Sequence, residues 1–217
     1  VIELFERAAL VNLESPLRNG STVRLPAEGH LTMTGDLHDN GLNFARLIKM
    51  AALHTEPTRH LILHEIIHGR HRVNGRDMSI RTLARVAALK LQYPDQVHLL
   101  QSNHELAQLG GEGISKGGVS VVREFDEAMD YLYGDDAEDV RDAMGQFIRS
   151  FILSVKCKNG VFCSHSLPSP HQLDAFDPTV IYRLPTDADL RSGGSGYVMV
   201  WGRNHTQELA DHLASSW

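Results

Sequence analysis

Five clusters in this 217-residue chain set metal-ligating, proton-transferring or anion-binding side chains directly after a short apolar run. Asp36 and His38 follow residues 31–35, Glu65 follows 60–63, and Asn103-His104-Glu105 follow 96–100. His165 follows 160–164, and Arg203 follows 197–201. Carboxylate, imidazole and amide oxygen together suit manganese, iron or zinc rather than calcium or a thiolate zinc site. A carboxylate shared between two such ions holds them roughly 3.5–4 Å apart, where a water loses a proton and becomes a nucleophile. An arginine at the same edge grips phosphate oxygens and offsets the charge of an in-line transition state. The chain carries 13 histidines, the side chain that most often ligates metals and that titrates nearest neutral pH. Singly, each residue has an ordinary reading: Asp36 and Asn103 as turn or cap residues, His165 as a loop histidine, Glu105 as an acid near a helix N-terminus. Their joint placement carries the functional reading.

The elements that must position these residues follow from periodicity. The five apolar runs read as strands. Leu42, Ala45, Ile48 and Ala52 between the first two have helical spacing, as do Ile80, Leu83, Ala84, Ala87, Ala88 and Leu91 between the second and third. Residues 120–132 and 137–153 read as two further helices, and Lys158-Asn159-Gly160 as a hairpin turn joining 151–157 to the strand at Val161. Residues 168–195, with four of the eight prolines and Gly193-Gly194, read as a long surface loop. Strands alternating with helices define an α/β fold, and open α/β sheets bind ligands outside the carboxyl ends of their strands.

Taken in order, Gly35-Asp36-Leu37-His38, Glu65, Asn103-His104-Glu105 and Phe162-Cys163-Ser164-His165 resemble the motifs of the calcineurin-like metallophosphoesterases. The stretch 89–100 is similar to the serine/threonine protein phosphatase (PPP-type) branch, and Trp201-Gly202-Arg203 to its bacterial members. The resemblance covers about residues 30–212 and implies a four-layer αββα fold, a central β-sandwich of two sheets flanked by helices, with metals at the sheet edge. It implies a dinuclear centre of two divalent ions (Mn, Fe or Zn) with a bridging hydroxide. Asp36 and His38 would bind the first ion, Glu65 would bridge, and Asn103 and His165 would bind the second. His104 would be the general acid and Arg203 would hold the phosphate of a phosphoprotein or a small phosphomonoester. The chain departs from the family pattern in four places. Glu65 replaces a bridging aspartate, His68 the aspartate that orients the catalytic histidine, Gly69 a phosphate-binding arginine, and Gln101 an arginine that often precedes the Asn-His pair. A last Gly-His motif is expected either beyond Trp217 or with His205 in its place.

Two other readings stand beside this one. His64-Glu65-Ile66-Ile67-His68 matches the His-Glu-x-x-His signature of zinc metalloproteases, in which both histidines share one helical face. Against it, Leu61-Ile62-Leu63 continues the series of strands, and Gly69 stands where a protease helix runs on. The other is a binding module with a degenerate site. Composition, with 42% hydrophobic and 22% charged residues, fits one globular domain over 1–217, which the resemblance implies is a metallophosphoesterase-like catalytic domain trimmed at its C-terminus. A net charge of −6 argues against nucleic-acid binding by general electrostatics, and the absence of a long apolar run argues against a membrane span. Two cysteines, Cys157 and Cys163, imply no disulfide framework and fit a reducing cytoplasm.

Overall fold

The structure, a computed structural model, describes residues 1–217 except His71, Glu112, Gly113, Gly117 and Gly118. Along the chain, α1 (Ile2–Leu13) leads to β1 (Arg18–Asn19), β2 (Thr22–Leu25), β3 (His30–Met33), α2 (Gly41–Ala51) and β4 (Arg59–Leu63). A small hairpin, β5 (Arg72–Val73) and β6 (Arg76–Asp77), precedes α3 (Ile80–Gln92), β7 (Val97–Leu99) and α4 (Asn103–Gly110). A second pair, β8 (Ser115–Lys116) and β9 (Val119–Ser120), leads to α5 (Val121–Tyr133), α6 (Ala137–Arg149), β10 (Ser154–Cys157) and β11 (Phe162–Ser164). The chain closes with α7 (Asp187–Leu190), α8 (Ser195–Trp201) and α9 (Gln207–Ser216).

Strand β4 shows how the layers arise. Its side chains alternate between faces. Leu61 and Leu63 join a core with Phe5, Leu83, Val97, Leu99 and Phe147, beneath the helices. Ile62 points the other way, into a second core with Val23, Leu25, Leu100, Ile152 and Val155. A strand buried on both faces reads as a continuous apolar run, which is what Leu61-Ile62-Leu63 is. It forms the middle of a parallel sheet, β3-β4-β7, with Thr32 opposite Leu61 and Ile62 opposite His98. The second sheet has the order β1-β2-β10-β11, with β2 and β10 parallel and β11 antiparallel to β10. A parallel bridge between Leu100 and Ile152 joins the two sheets at the edge where the expected ligands gather. The outer face of the second sheet is covered by Leu153, Val180, Ile181 and Met199. Helices, two sheets and a C-terminal helical layer give the αββα arrangement.

Three expectations need correction or extension. Residues 197–201, read as a fifth strand, lie in helix α8. A five-residue apolar run has no period long enough to separate strand from helix. Here Tyr197 and Trp201, four apart, stack at 5.7 Å between ring centroids, while Val198, Met199 and Val200 are buried. The segment 168–195 is no bare surface loop. It contains two 3-10 helices, Pro170–Ala175 and Pro178–Tyr182, buries Val180 and Ile181 completely, and is braced by Arg183 between Asp177 and Asp189. Helix α1, which the periodicity argument passed over, packs Phe5 on Phe147 of α6 at 5.5 Å. The hairpin at Lys158-Asn159-Gly160 forms as expected, with Gly160 at φ +91° and Cys157 N–H donating to Val161 O. Both cysteines are free. Among the described residues no helix is long and apolar enough to cross a membrane.

Candidate metal centre at the sheet edge

Because β3, β4 and β7 are parallel, the loops after them leave the sheet on one side. The backbone then laces these loops together. Leu37 and His38 N–H both donate to Glu65 O, and Asp39 N–H donates to Ile66 O. From the third loop, the fully buried Glu105 reaches across: its Oε1 accepts from Ile66 N–H at 2.7 Å and Ile67 N–H at 3.2 Å. Its other oxygen accepts from Ser102 Oγ–H. Burial, supported by the charge of Glu65, pushes the Glu105 carboxyl up against the pull of these hydrogen bonds. The tie holds a bent loop. His38, Asp39, Glu65 and His68 all have φ between +44° and +59°, a region that costs non-glycine residues of order 1–3 kcal/mol each and that clusters at functional sites.

Glu65 is the hub. Its Oε2 lies 3.0 Å from His38 Nε2 and its Oε1 2.9 Å from His165 Nε2. Burial opposes its ionisation, but the hydrogen bonds from His165 and His38 and the charge of His104 outweigh it and hold the carboxyl well below the usual range. One ligand atom each from His38, Glu65 and His104 lie within 4.8 Å of one another, the His38 and His104 rings meeting edge to face at 4.6 Å. Asp36 stands at the rim, over half exposed, its Oδ2 4.0 Å from His38 Nε2. Asn103 is buried at the first turn of α4. His104, read from the sequence as an acid without a coordination bond, therefore sits within ligand distance of the other two.

The donor set fits a cation. His38 Nδ1 lies 3.0 Å from Ile67 O, a carbonyl that only accepts, so Nδ1 carries the proton. Its Nε2 then faces a carboxylate oxygen, and two such acceptors need a cation in common, a proton or a metal. Asn103 Oδ1 and His165 Nδ1 are buried acceptors that find no donor among the described residues. His64 adds a third: its Nε2 donates to Thr34 O at 2.8 Å, and its buried Nδ1 has no partner. Buried polar atoms left over in this way call for an ion or water.

Two expected residues are placed differently. Arg203 is exposed, and its guanidinium donates to Gly202 O and Val200 O, beside its own backbone. Its backbone meets the loop after His165 through Ser169. His205 lies exposed with Nε2 2.7 Å from Leu167 O. The His64–His68 segment is not helical. His64 turns to Thr34, and His68 to His104 and Gln108, so the shared helical face a zinc protease requires is absent. The role of Glu105 escaped the sequence reading, although Ser102-x-x-Glu105 is a capping-box spacing that marks both residues as paired.

No protein-family model and no curated protein matches the sequence. Among solved structures, a protein serine/threonine phosphatase from Saccharomyces cerevisiae with similarity to human phosphatase PP5 superposes with a TM-score of 0.64 at 15% identity. The match covers 92% of this chain and 57% of that one, so the chain spans little more than half the length of that phosphatase. At this identity the likeness speaks for the fold. The protein has an αββα fold similar to that of this serine/threonine phosphatase.

Proposed function

We propose that the chain is a metal-dependent phosphoric-ester hydrolase acting on phosphoserine, phosphothreonine or a small phosphomonoester. The observation that carries this reading is Glu65, a low-pKa carboxylate flanked at 3.0 and 2.9 Å by His38 and His165, with orphaned acceptors on Asn103 and His165. Asp36, His38 and Glu65 would hold one ion, and Glu65, Asn103 and His165 a second. Divalent manganese, iron or zinc so held supplies an acidified water and neutralises phosphoryl charge. The chain's own contributions are distinct from that chemistry. Glu65 bears on both ligand sets at once. Glu105 fixes the loop that aims it. His104, itself one of the three clustered residues, would be the acid that protonates a leaving alkoxide. Arg203 would grip phosphate only after leaving Gly202 O. Free cysteines suit a cytoplasmic setting.

The test is metal content by mass spectrometry together with manganese-dependent hydrolysis of aryl phosphate and phosphopeptide. Glu65→Ala is expected to lose both ions, because a shared ligand couples their occupancies, whereas His38→Ala loses about one. Equal loss in both variants removes Glu65 from the bridging role, and a wild-type chain that binds no ion and hydrolyses neither substrate overturns the reading.

A further inference from the structure

Helices α2 and α3 connect β3 to β4 and β4 to β7, and both bury their inner faces in the core that holds Phe44 and Leu83. Both therefore start at the edge of the sheet where the metal cluster lies. Their first turns are fastened to it. Thr82 Oγ donates to Asp39 Oδ1, one residue past His38, and a Cβ on Gly41 would stand 3.9 Å from Arg85 Nη1. The charge of these two helices runs against that of the chain. The protein has 27 acidic residues and a net charge of −6, yet neither α2 nor α3 contains an aspartate or a glutamate. Helix α5 alone contains Glu124, Asp126, Glu127 and Asp130.

What the two helices turn to solvent is cationic. Leu42, Arg46, Lys49 and Met50 share the outer face of α2, and Arg81 and Arg85, four apart, that of α3; all six are exposed. Among the described residues, Arg46, Lys49, Arg81 and Arg85 form no ion pair and no side-chain hydrogen bond. Elsewhere in the chain Arg7, Arg72, Arg141, Arg149 and Arg183 each face a carboxylate. Leu42 and Met50 are 76% and 67% exposed, so apolar surface is interleaved with the unpaired charge.

We propose that the outer face of α2 and α3 is a docking surface for an acidic stretch of a phosphoprotein, next to the phosphorylated residue held at the sheet edge. The assignment of that stretch to a substrate rests on the phosphatase reading. Arg46 and Lys49 lie about 7 and 12 Å along α2 from Gly41. An extended chain advances about 3.3 Å per residue, so side chains within about four residues of the phosphoserine reach the patch. Carboxylates there meet four cations without displacing an existing partner, and an apolar neighbour covers Leu42 and Met50. The patch also offsets the repulsion that a chain of net charge −6 exerts on an acidic partner. The same surface suits other anions less well. Single-stranded nucleic acid is held by aromatic platforms, and the one aromatic residue of the two helices, Phe44, is buried. A membrane needs a broader apolar face than Leu42 and Met50 supply.

The experiment uses the full chain with manganese and measures hydrolysis of a phosphoserine peptide flanked by glutamate and leucine, of the same peptide with glutamine for glutamate, and of an aryl phosphate. Fluorescence anisotropy of the unphosphorylated acidic peptide adds a readout that needs no catalysis. Exposed ion pairs are individually weak, so wild type is expected to show a KM about tenfold lower for the acidic peptide than for the glutamine peptide. That advantage should shrink as salt rises from about 0.1 to 1 M and the screening length falls from about 10 to 3 Å. Arg46→Glu combined with Arg85→Glu is expected to abolish the preference and the peptide binding while aryl phosphate turnover stays unchanged. Arg7→Glu combined with Arg123→Glu makes the same change of net charge on α1 and α5 and is expected to keep the preference. Equal KM values for the two peptides in wild type overturn the proposal with no variant needed, and leave the phosphatase reading standing. Equal losses in both double variants also overturn it, as does tighter binding of phosphatidylserine vesicles or of an oligonucleotide at Arg46 and Arg85. Acidic-peptide binding that is lost in Arg46→Glu with Arg85→Glu, in a chain that hydrolyses none of the substrates, upholds the docking surface and refutes the phosphatase reading.

Discussion

Replacing Glu105 separates two ways in which a buried carboxylate can hold a site together. In Glu105→Ala, the N–H groups of Ile66 and Ile67, both residues fully buried, lose their acceptor, and Ser102 loses a partner. A buried donor left unmatched costs roughly 1–3 kcal/mol. The 2.7 Å bond belongs at the upper end of that range and the 3.2 Å bond at the lower. Removing a buried acid also relieves a desolvation penalty, so the net loss is expected at about 2–5 kcal/mol. Glu105→Gln keeps an oxygen for both N–H groups and turns an NH2 toward Ser102 Oγ, which can accept, so its cost is expected at about 0–1.5 kcal/mol. Urea unfolding measures both. Amide hydrogen exchange at Ile66 and Ile67 supplies the local reading, with protection lost in Glu105→Ala and retained in Glu105→Gln. Because the loop carries Glu65 at a positive φ, Glu105→Ala is also expected to bind metal less tightly. Unchanged exchange at Ile66 and Ile67 in Glu105→Ala would refute the tie. Equal destabilisation by both variants would show that charge, not the acceptor, holds the loop.

Two more outcomes follow from particular contacts. His60 and His98 are buried beside one another on β4 and β7, Nδ1 to Nε2 at 3.1 Å, and burial above all holds both below their ordinary value of 6.5, with Lys90 adding to the effect on His98. Depressed folded-state pKa values mean that the unfolded chain takes up protons first as pH falls, so their stabilisation is present above 6.5 and is lost below it. The urea midpoint should therefore drop between about pH 7 and pH 5.5, and His98→Phe, which keeps a ring but cannot titrate, should drop less; parallel curves would exclude the pair. Gly69 stands where the resemblance implies an arginine, yet a Cβ there would come within 2.4 Å of Asp39 Cβ and 3.1 Å of His38 O. Gly69→Arg should therefore cost about 1–3 kcal/mol by overpacking and weaken metal binding rather than add a phosphate contact; a lower KM at unchanged stability would contradict this.

What could be read from the sequence divides by the range of the interactions involved. Strands β4 and β7 and helix α3 announce themselves through apolar spacing, because each must bury a defined face and the pattern needed is local; α2 forms where its spacing suggests, but Leu42 and Ala45 lie exposed and Phe44 and Ala51 turn inward. Once β3, β4 and β7 are parallel, the convergence of Asp36, His38, Glu65, Asn103 and His104 on one edge is a consequence of topology, and their order along the chain suffices to suggest it. The five apolar residues of helix α8 serve equally as a buried strand or a buried helix, and packing against α4, α7 and the turn Pro178–Tyr182 decides between them. The connections that give the site its chemistry are long-range and polar: Glu105 to Ile66, His68 to Gln108, Gln108 to Asp126. Nothing in periodicity marks them, since a glutamine on an amphipathic helix reads as a solvated residue until a buried histidine is found beside it. The substitutions at the second motif show the same division. Read as a string, His68 for aspartate and Gly69 for arginine look like losses. In three dimensions Gly69 is the only residue that lets Asp39 pass, Asp39 is held by Thr82 Oγ at 2.5 Å, and that turn carries His38 into the cluster. His68 is met by Gln108, which Asp126 holds in turn. A motif comparison counts residues one at a time, whereas the site is built from partners, and a residue that departs from a pattern has meaning only together with whatever the chain supplies to meet it.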